Sequence, residues 1–496
     1  MENKVIQLNP RDNVVVALQD IAAREKITVG DEEIVVLEAV KRGHKIAIND
    51  IAENNGIIKY GAPIGHATQA IQKGNWVHTH NVATNLSGKI DYTYRPELHT
   101  RIYPKDARTF KGYVRQDGKV GIRNDLYLIP TVGCINMISD LIVERFKQNH
   151  PGNGAFDEII SLKHPYGCSQ LGGDLQNTQK ILIDAAKHPN AGGVLIFGLG
   201  CENNQLEAMK KQMGAYDESR IRFMICQQVD DEVETGVRLL EELNEYASND
   251  RRTDLPLSEL KIGLKCGGSD GFSGITGNPL LGRLSDFVVS QGGSTVLTEV
   301  PEMFGAETVL MGRAVNEEVF HKIVNLINHF KDYFASYNQP IYENPSPGNK
   351  AGGITTLEDK SLGCTQKSGT SAVADVLEYG DKIRKKGLSL LQAPGNDQVS
   401  TSALASADCQ MILFTTGRGT PFSTYVPTLK ISTNTQLYEK KRTWIDFNAG
   451  QLLDRNIDEV TNQFIQLIID TASGKITKSE LRHIHELAIF KNGVTE

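Results

Sequence analysis

Between Asn13 and Asn81 the chain is written in short apolar runs, NVVVAL, KITV, EIVVLEAV, HKIAI, IIKYG and WVHTHN, separated by Gly, Asp and Asn. Brief β-branched runs bounded by turn formers predict strands, and together a small, mostly β domain over residues 1–90. The segment Ser87–Asp106, SGKIDYTYRPELHTRIYPKD, is polar, contains proline and holds no period, which predicts a linker at 91–110. After Gly112 the texture changes to continuous apolar stretches such as EIISLKH and GVLIFGLG, alternating with helical segments such as Leu175–Lys187. That alternation predicts two further α/β domains with largely parallel sheets, at 111–250 and 251–496, parted by the polar NDRRTDLPLS. The expected fold class is α/β multidomain, led by the small β domain.

Five apolar stretches run straight into polar, glycine-rich motifs. IISL meets Lys163-His164-Pro165-Tyr166-Gly167-Cys168, VLIFGLG meets Cys201-Glu202-Asn203, and KIGLK meets Cys266-Gly267-Gly268-Ser269-Asp270-Gly271. TVLT meets Glu299-Val300-Pro301-Glu302, and MILF meets Thr415-Thr416-Gly417-Arg418-Gly419. In open α/β sheets ligands bind beyond the carboxyl ends of strands, where glycine lets backbone N–H groups approach an anion. Any one cluster is also satisfied by a tight turn. Five of them, dense in Cys, Glu, Asp and Arg, point to an active site. No P-loop is present, and the Gly-Leu-Gly after VLIF lacks the third glycine of a dinucleotide fingerprint, so no nucleotide cofactor is expected.

Composition narrows the class. At 496 residues, 40% hydrophobic and 23% charged, the chain is long enough for several globular domains and carries no apolar run of the ~20 residues a membrane span needs. The N-terminus MENKVIQLNPRDNVVVAL has no signal-peptide pattern, and a cytoplasmic protein is expected. Seven scattered cysteines without a CxxC pair argue for free thiols rather than a disulfide framework or zinc ribbon. A formal charge of −7 with no basic run disfavours nucleic acid as a partner. A homo-oligomer is the base-rate expectation.

Two features suggest a metal. In Trp76-Val77-His78-Thr79-His80-Asn81, a strand would turn both imidazoles to one side, about 6–7 Å apart. Solvated side chains on an exposed strand face are the alternative. Cys168, Cys201 and Cys266 each follow a strand end, where thiolates can ligate iron or build an iron–sulfur cluster; burial as small hydrophobes is the commoner fate. The loop Asn344-Pro345-Ser346-Pro347-Gly348-Asn349-Lys350 offers a lysine and backbone donors to an anion, or serves as a rigid interdomain turn.

Read in order, HPYGCSQLGGD, GLGCENNQ, KCGGSDGFSGITGNP, TEVPEMFGAE, ENPSPGNKAGGITTLEDKSLG, FTTGRGTPF and WIDFNAGQL resemble the altronate/galactarate dehydratase family over nearly the whole chain. RGHKIAINDI, IIKYGAPIGHA and WVHTHN resemble the SAF domain that opens these enzymes, and ENNQ, CQQVDDE and PEMFGAE resemble the altronate branch. The resemblance implies a hydro-lyase of hexuronate breakdown in the galacturonate branch. It would convert D-altronate to 2-dehydro-3-deoxy-D-gluconate with Fe(II), or Mn(II), as cofactor. Galactarate dehydratase or a related hydroxy-acid lyase is the near alternative, and a non-catalytic sugar-acid binding protein the distant one.

That reaction removes a weakly acidic C2 proton and expels hydroxide from C3, which calls for a Lewis acid, a base and an acid. On this reading His78 and His80 are the expected metal ligands, with Cys168, Cys201 and Glu202 as rivals. His164 and Glu302 are the expected base and acid, with Asp270 in reserve. Arg418 and Lys350 are expected at the substrate carboxylate, helped by Asn349, Ser269 and the backbone of Gly267, Gly268 and Gly417.

Overall fold

The computed structural model describes residues 3–495. Its first domain is built on a four-stranded antiparallel sheet in the order Val5–Ile6, Val14–Ala17, Lys45–Ala47, Trp76–Val77. Alternate side chains of one strand point to opposite faces, so Val15 joins a core with Ile27, Ile34 and Ile46 while Val14 joins another with Ile57, Ile64 and Val77. A two-stranded and a three-stranded sheet complete the domain.

The expected linker at 91–110 has no regular structure until Thr109, where the strand Thr109–Val114 begins, yet it is held along the third domain. Tyr92 donates to Glu307 Oε1 at 2.6 Å, Tyr94 to Ala314 O at 3.0 Å, and the Arg101 N–H to Thr370 Oγ1 at 2.8 Å. Its tyrosines pack against the large hydrophobic core, which explains an aromatic-rich stretch without helical or strand period.

The second domain has a four-stranded parallel sheet in the order Ile159–Ser161, Asp125–Pro130, Ala191–Gly198, Ile221–Ile225. The third has a seven-stranded parallel sheet in the order Val373–Leu377, Gly387–Leu391, Ser294–Leu297, Lys261–Cys266, Met411–Thr416, Thr428–Ser432, Phe447–Asn448. The central strands are buried along their length, and helices cover both faces, as parallel sheets require. The expected α/β class with a leading β domain is the observed one. The five strand-end motifs, however, divide between two sheets: His164, Cys168 and Cys201 end strands of the smaller one, Cys266, Glu299 and Thr416 follow or end strands of the larger. Among the described residues no helix is long and apolar enough to cross a membrane.

Candidate active site

The central strand of the larger sheet ends in Cys266, and the adjacent strand Ser294–Leu297 leads into Glu299 and Glu302. Glu299 has φ +71°, a left-handed backbone uncommon for a residue with a side chain and of the kind that clusters at functional sites. It turns both glutamates inward over Cys266. Opposite lies the helix Leu357–Thr365, begun by the Thr356 side chain accepting from the Asp359 N–H. Four residues apart on that helix, Lys360 and Cys364 share a face.

Cys266 Sγ is 3.4 Å from Cys364 Sγ, and Glu302 Oε2 is 3.1 Å from Cys364 Sγ and 3.5 Å from Cys266 Sγ. Among the described residues these are the three donors of metal-ligand type that come within 4.8 Å of one another. Three buried ammonium groups surround them. Lys360 Nζ lies 2.7 Å from Glu302 Oε1, Lys367 Nζ 2.8 Å from Cys266 Sγ and 3.2 Å from Glu299 Oε2, and Lys265 Nζ bonds Glu299 and, at 2.7 Å, Asp397.

Burial alone would raise the Glu302 pKa, but Lys360, then Lys367 and Lys265, overcome it and hold the carboxyl well below the usual range. Its bond to Cys266 and its burial push the Cys364 thiol well up, so without a cation the thiol keeps its proton. Three lysines balance Glu299, Glu302 and Asp397; two thiolates then leave two negative charges, which a divalent cation neutralises. Donor type and charge both fit such an ion.

The group opens on a cleft of about 560 Å³ lined by Gly267, Gly268, Glu302, Lys350, Lys360 and Asp397, with the Asn344–Pro347 loop as its wall. Gly267 is required there, since a Cβ would lie 2.5 Å and 2.6 Å from the Asp397 carboxylate oxygens. Asn349 accepts from Lys360 at 3.1 Å and donates to Ser269 O at 2.9 Å, tying two loops of the cleft together. The exposed Arg418 lies beside Gly348, whose Cβ would be 3.7 Å from its Nε, and the Arg418 N–H donates to Gly268 O. In a second cavity of about 370 Å³, between Arg115 and Tyr216, Arg115, Lys119 and Arg220 are paired to Asp250 and Asp408, and Lys187 is bonded to the Met213 and Ala215 carbonyls.

The structure therefore brings Glu302, Gly267, Gly268, Asn349, Lys350 and Arg418 to one cleft or its rim, and places other expected residues elsewhere. Asp270 is buried under the cleft, accepting from Thr433 at 2.8 Å and Asn434 at 3.1 Å, with Gly417 packed on its carboxyl; it organises loops, and burial raises its pKa. His164 belongs to the second domain. Its Nε2 donates to Pro130 O at 2.8 Å and its Nδ1 accepts from the Tyr166 N–H at 3.2 Å, so neither ring nitrogen is free for proton transfer. Burial lowers its pKa.

The strand carrying Trp76 ends at Val77, so His78-Thr79-His80 forms a bend and turn, and the alternation that would align the two imidazoles does not apply. His78 Nδ1 is 3.0 Å from Thr355 Oγ1, His80 is exposed, and Trp76 packs against both rings at centroid distances of 5.4 Å and 4.8 Å. Among the described residues no further ligand donor joins them within 4.8 Å, and the same holds for Cys168, Cys201 and Glu202. Glu202 accepts from Thr131 Oγ1 at 2.5 Å and from the Leu199 and Gly200 N–H groups at 3.0 Å and 2.6 Å, shaping its own loop.

Sequence reasoning passed over Lys360, Cys364 and Lys367, although the i, i+4 spacing of Lys360 and Cys364 was a usable signal once the segment is read as a helix. Lys265 and Asp397 had no such signal, and Glu299, although in a strand-end motif, showed no sign of its lysine partners, because the partnership joins two strand ends and the start of helix Asp397–Ser406.

The family described as D-galactarate/Altronate dehydratase, C-terminal, matches residues 257–495. D-galactarate dehydratase/Altronate hydrolase, second domain, matches residues 112–248, and Altronate/galactarate dehydratase SAF domain matches residues 3–85. The chain is 58% identical to the altronate dehydratase of Bacillus subtilis and 52% identical to that of Escherichia coli, each match covering 99% of both chains. It is 32% identical to the L-threo-forming galactarate dehydratase of Escherichia coli, over 98% of this chain and 96% of the relative. With all three family models matched in order and full-length relatives above half identity, the chain belongs to the altronate/galactarate dehydratase family.

Proposed function

We propose that this protein is a hydro-lyase that dehydrates D-altronate to 2-dehydro-3-deoxy-D-gluconate, with Fe(II), or Mn(II), held by Cys266, Glu302 and Cys364. The observation that carries the reading is the joining of that donor group, through Glu302 and Lys360, to a cleft that also carries Lys350 and has Arg418 at its rim. The preference for altronate over galactarate is supported by the gap between 58% and 32% identity to the two kinds of relative.

Bound there, a divalent cation supplies Lewis acidity toward the hydroxy-acid oxygens. The chain's own residues do the rest. Arg418 and Lys350 meet the substrate carboxylate at the rim, the arginine with a two-pronged donor and the lysine with a compact charge. Glu302 is engaged by Lys360 and both sulfurs, whereas Asp397, bonded to Lys265 through Oδ1, and the exposed Glu343 also line the cleft; Asp397, tied through Lys265 to the Glu299–Cys266 group, is the carboxylate assigned to take the C2 proton. Lys360, held charged by Glu302, spends its three N–H groups on Glu302, Asn344 and Asn349 and so fixes the wall of the cleft beside the departing C3 hydroxyl. Acid–base catalysis of this kind contributes about 10²–10⁴-fold.

The test is turnover by metal-stripped protein given D-altronate, then D-galactarate, with Fe(II), Mn(II), Mg(II) or chelator under anaerobic reducing conditions. Keto-acid from altronate on adding Fe(II) or Mn(II) is expected. No product from either acid under any metal, with altronate still bound, would replace the reading by that of a sugar-acid binding protein.

A further inference from the structure

Cys266 and Cys364 are the two cysteines whose sulfurs meet, at 3.4 Å; among the described residues no other pair of thiols is in contact. Cys266 is the last residue of its strand and Cys364 lies in the last turn of helix Leu357–Thr365, so each thiol hangs from the end of an element. A disulfide holds its sulfurs about 2.05 Å apart, and closing one here needs an approach of about 1.4 Å. Turning the two thiols about their Cα–Cβ bonds moves the sulfurs by that much.

The surroundings favour reaction at this pair. Lys367 Nζ donates to Cys266 Sγ at 2.8 Å, so a negative charge on that sulfur, the form that attacks an oxidant, faces an ammonium group. Glu302 lines the cleft and touches both sulfurs, which places the pair beneath the cleft floor and within reach of a small solute. On its other side Cys364 lines a cavity of about 10 Å³ together with Tyr60, Ser269 and Lys360, enough for one water-sized molecule. The Oγ of the buried Ser269 has no hydrogen-bond partner among the described residues, so this space is polar as well as open. Cys364 is therefore not packed on every side and has room to turn.

We propose that Cys266 and Cys364 are a redox pair, closed by peroxide to a disulfide that shuts the site to a metal ion. One sulfur attacks hydrogen peroxide and breaks the O–O bond, giving a sulfenic acid and one water; the second sulfur then displaces the sulfenic oxygen as another water and forms the S–S bond. Two thiols are oxidised by the loss of two hydrogens, and one peroxide is reduced to two waters. The bond removes two of the three donors and both of the thiolate charges that a divalent ion balances, so disulfide and ion exclude each other. That exclusion rests on the metal reading given above, whereas the pairing of the thiols does not.

Full-length protein stripped of metal by chelator is treated with hydrogen peroxide, alkylated with iodoacetamide in denaturant, digested with trypsin without reduction and mapped by mass. Cleavage after Lys265, Arg283, Lys360 and Lys367 releases residues 266–283 and 361–367, each with one cysteine. The two peptides should appear as one linked species, absent before peroxide and split by dithiothreitol. Mn(II) bound beforehand should lower the linked fraction about 10-fold, because only the ion-free form can close. After dialysis the oxidised protein should retain no Mn(II), and dithiothreitol should restore binding. Stripped protein that yields no linked species, linkage undiminished by bound Mn(II), or oxidised protein that holds as much Mn(II) as the reduced form would each overturn the proposal. Linkage in a protein that binds no Mn(II) in either state would uphold the disulfide and overturn the metal reading instead.

Discussion

Lys45 of the first domain and Asp359 of the third are joined by a 2.9 Å ion pair in which both side chains are withdrawn from solvent, and Lys59 completes the cluster at 2.9 Å. Asp359 immediately precedes Lys360, the residue that holds Glu302. The β domain is thereby bolted to the helix that forms one side of the metal-type group. Around the bolt, Lys45 Nζ also donates to Gly353 O at 2.8 Å, and Thr84 donates to Glu358 Oε2 at 2.8 Å.

Replacing Asp359 by Asn removes the one carboxylate that serves two buried lysines. Burial would raise its pKa, but Lys45 and Lys59 hold it well below the usual carboxylate range. Breaking such a group by losing one partner costs about 3–5 kcal/mol. Urea unfolding should show a loss of that size, with reduced turnover because Lys360 loses its support; a change under about 1 kcal/mol would mean the pairing does not hold the domains.

Cys364→Ser should abolish stoichiometric binding of one divalent ion, measured by metal analysis after dialysis, and lower kcat by at least about 10²-fold. Unchanged metal content would remove Cys364 from the ligand set. Glu302→Gln should act in the same direction, since it also frees Lys360 in a buried setting.

Arg418→Ala should raise KM for the sugar acid about 10- to 100-fold, as expected for loss of a charged hydrogen-bonding partner, while leaving thermal stability near that of the parent. Arg418 is exposed, so its removal opens no cavity. Normal kinetics would end its assignment to the carboxylate.

Acid sensitivity should begin near neutrality through buried neutral histidines. Burial pushes His188 from 6.5 down to about 3, so on acidification the unfolded chain takes a proton that the folded chain refuses. The stabilisation is complete above 6.5 and is lost progressively as pH falls toward about 3. Between about pH 7 and about pH 5 the loss from this residue is about 2 kcal/mol. His188→Gln, compared with the parent by urea midpoint at both values, should show a correspondingly shallower fall; equal falls would refute the assignment. His78, pushed down to about 3 first by burial and then by Lys45, adds loss in the same direction.

The larger elements were legible because they rest on local regularities. Continuous apolar runs such as VLIFG and MILF, bounded by glycine, are what a strand buried on both faces must look like, and they became central parallel strands. Short β-branched runs between turn formers likewise gave the strands of the first domain. Family motifs identified the class of enzyme because their order along the chain is itself a sequence property. The site was less legible. That His78 and His80 leave the strand at Val77, and that His164 has both nitrogens engaged, follow from packing and hydrogen bonds that no residue spacing encodes. Cys266 and Cys364 are 98 positions apart, and only the return of helix Leu357–Thr365 across the sheet end brings their sulfurs to 3.4 Å. Sequence determined which segments are strands, helices and glycine-rich ends, since those choices depend on neighbours a few residues away. Tertiary structure decided which ends meet, because burying three lysines, two glutamates and two thiols is tolerable only where strands and a helix from distant parts of the chain place each charge beside its opposite.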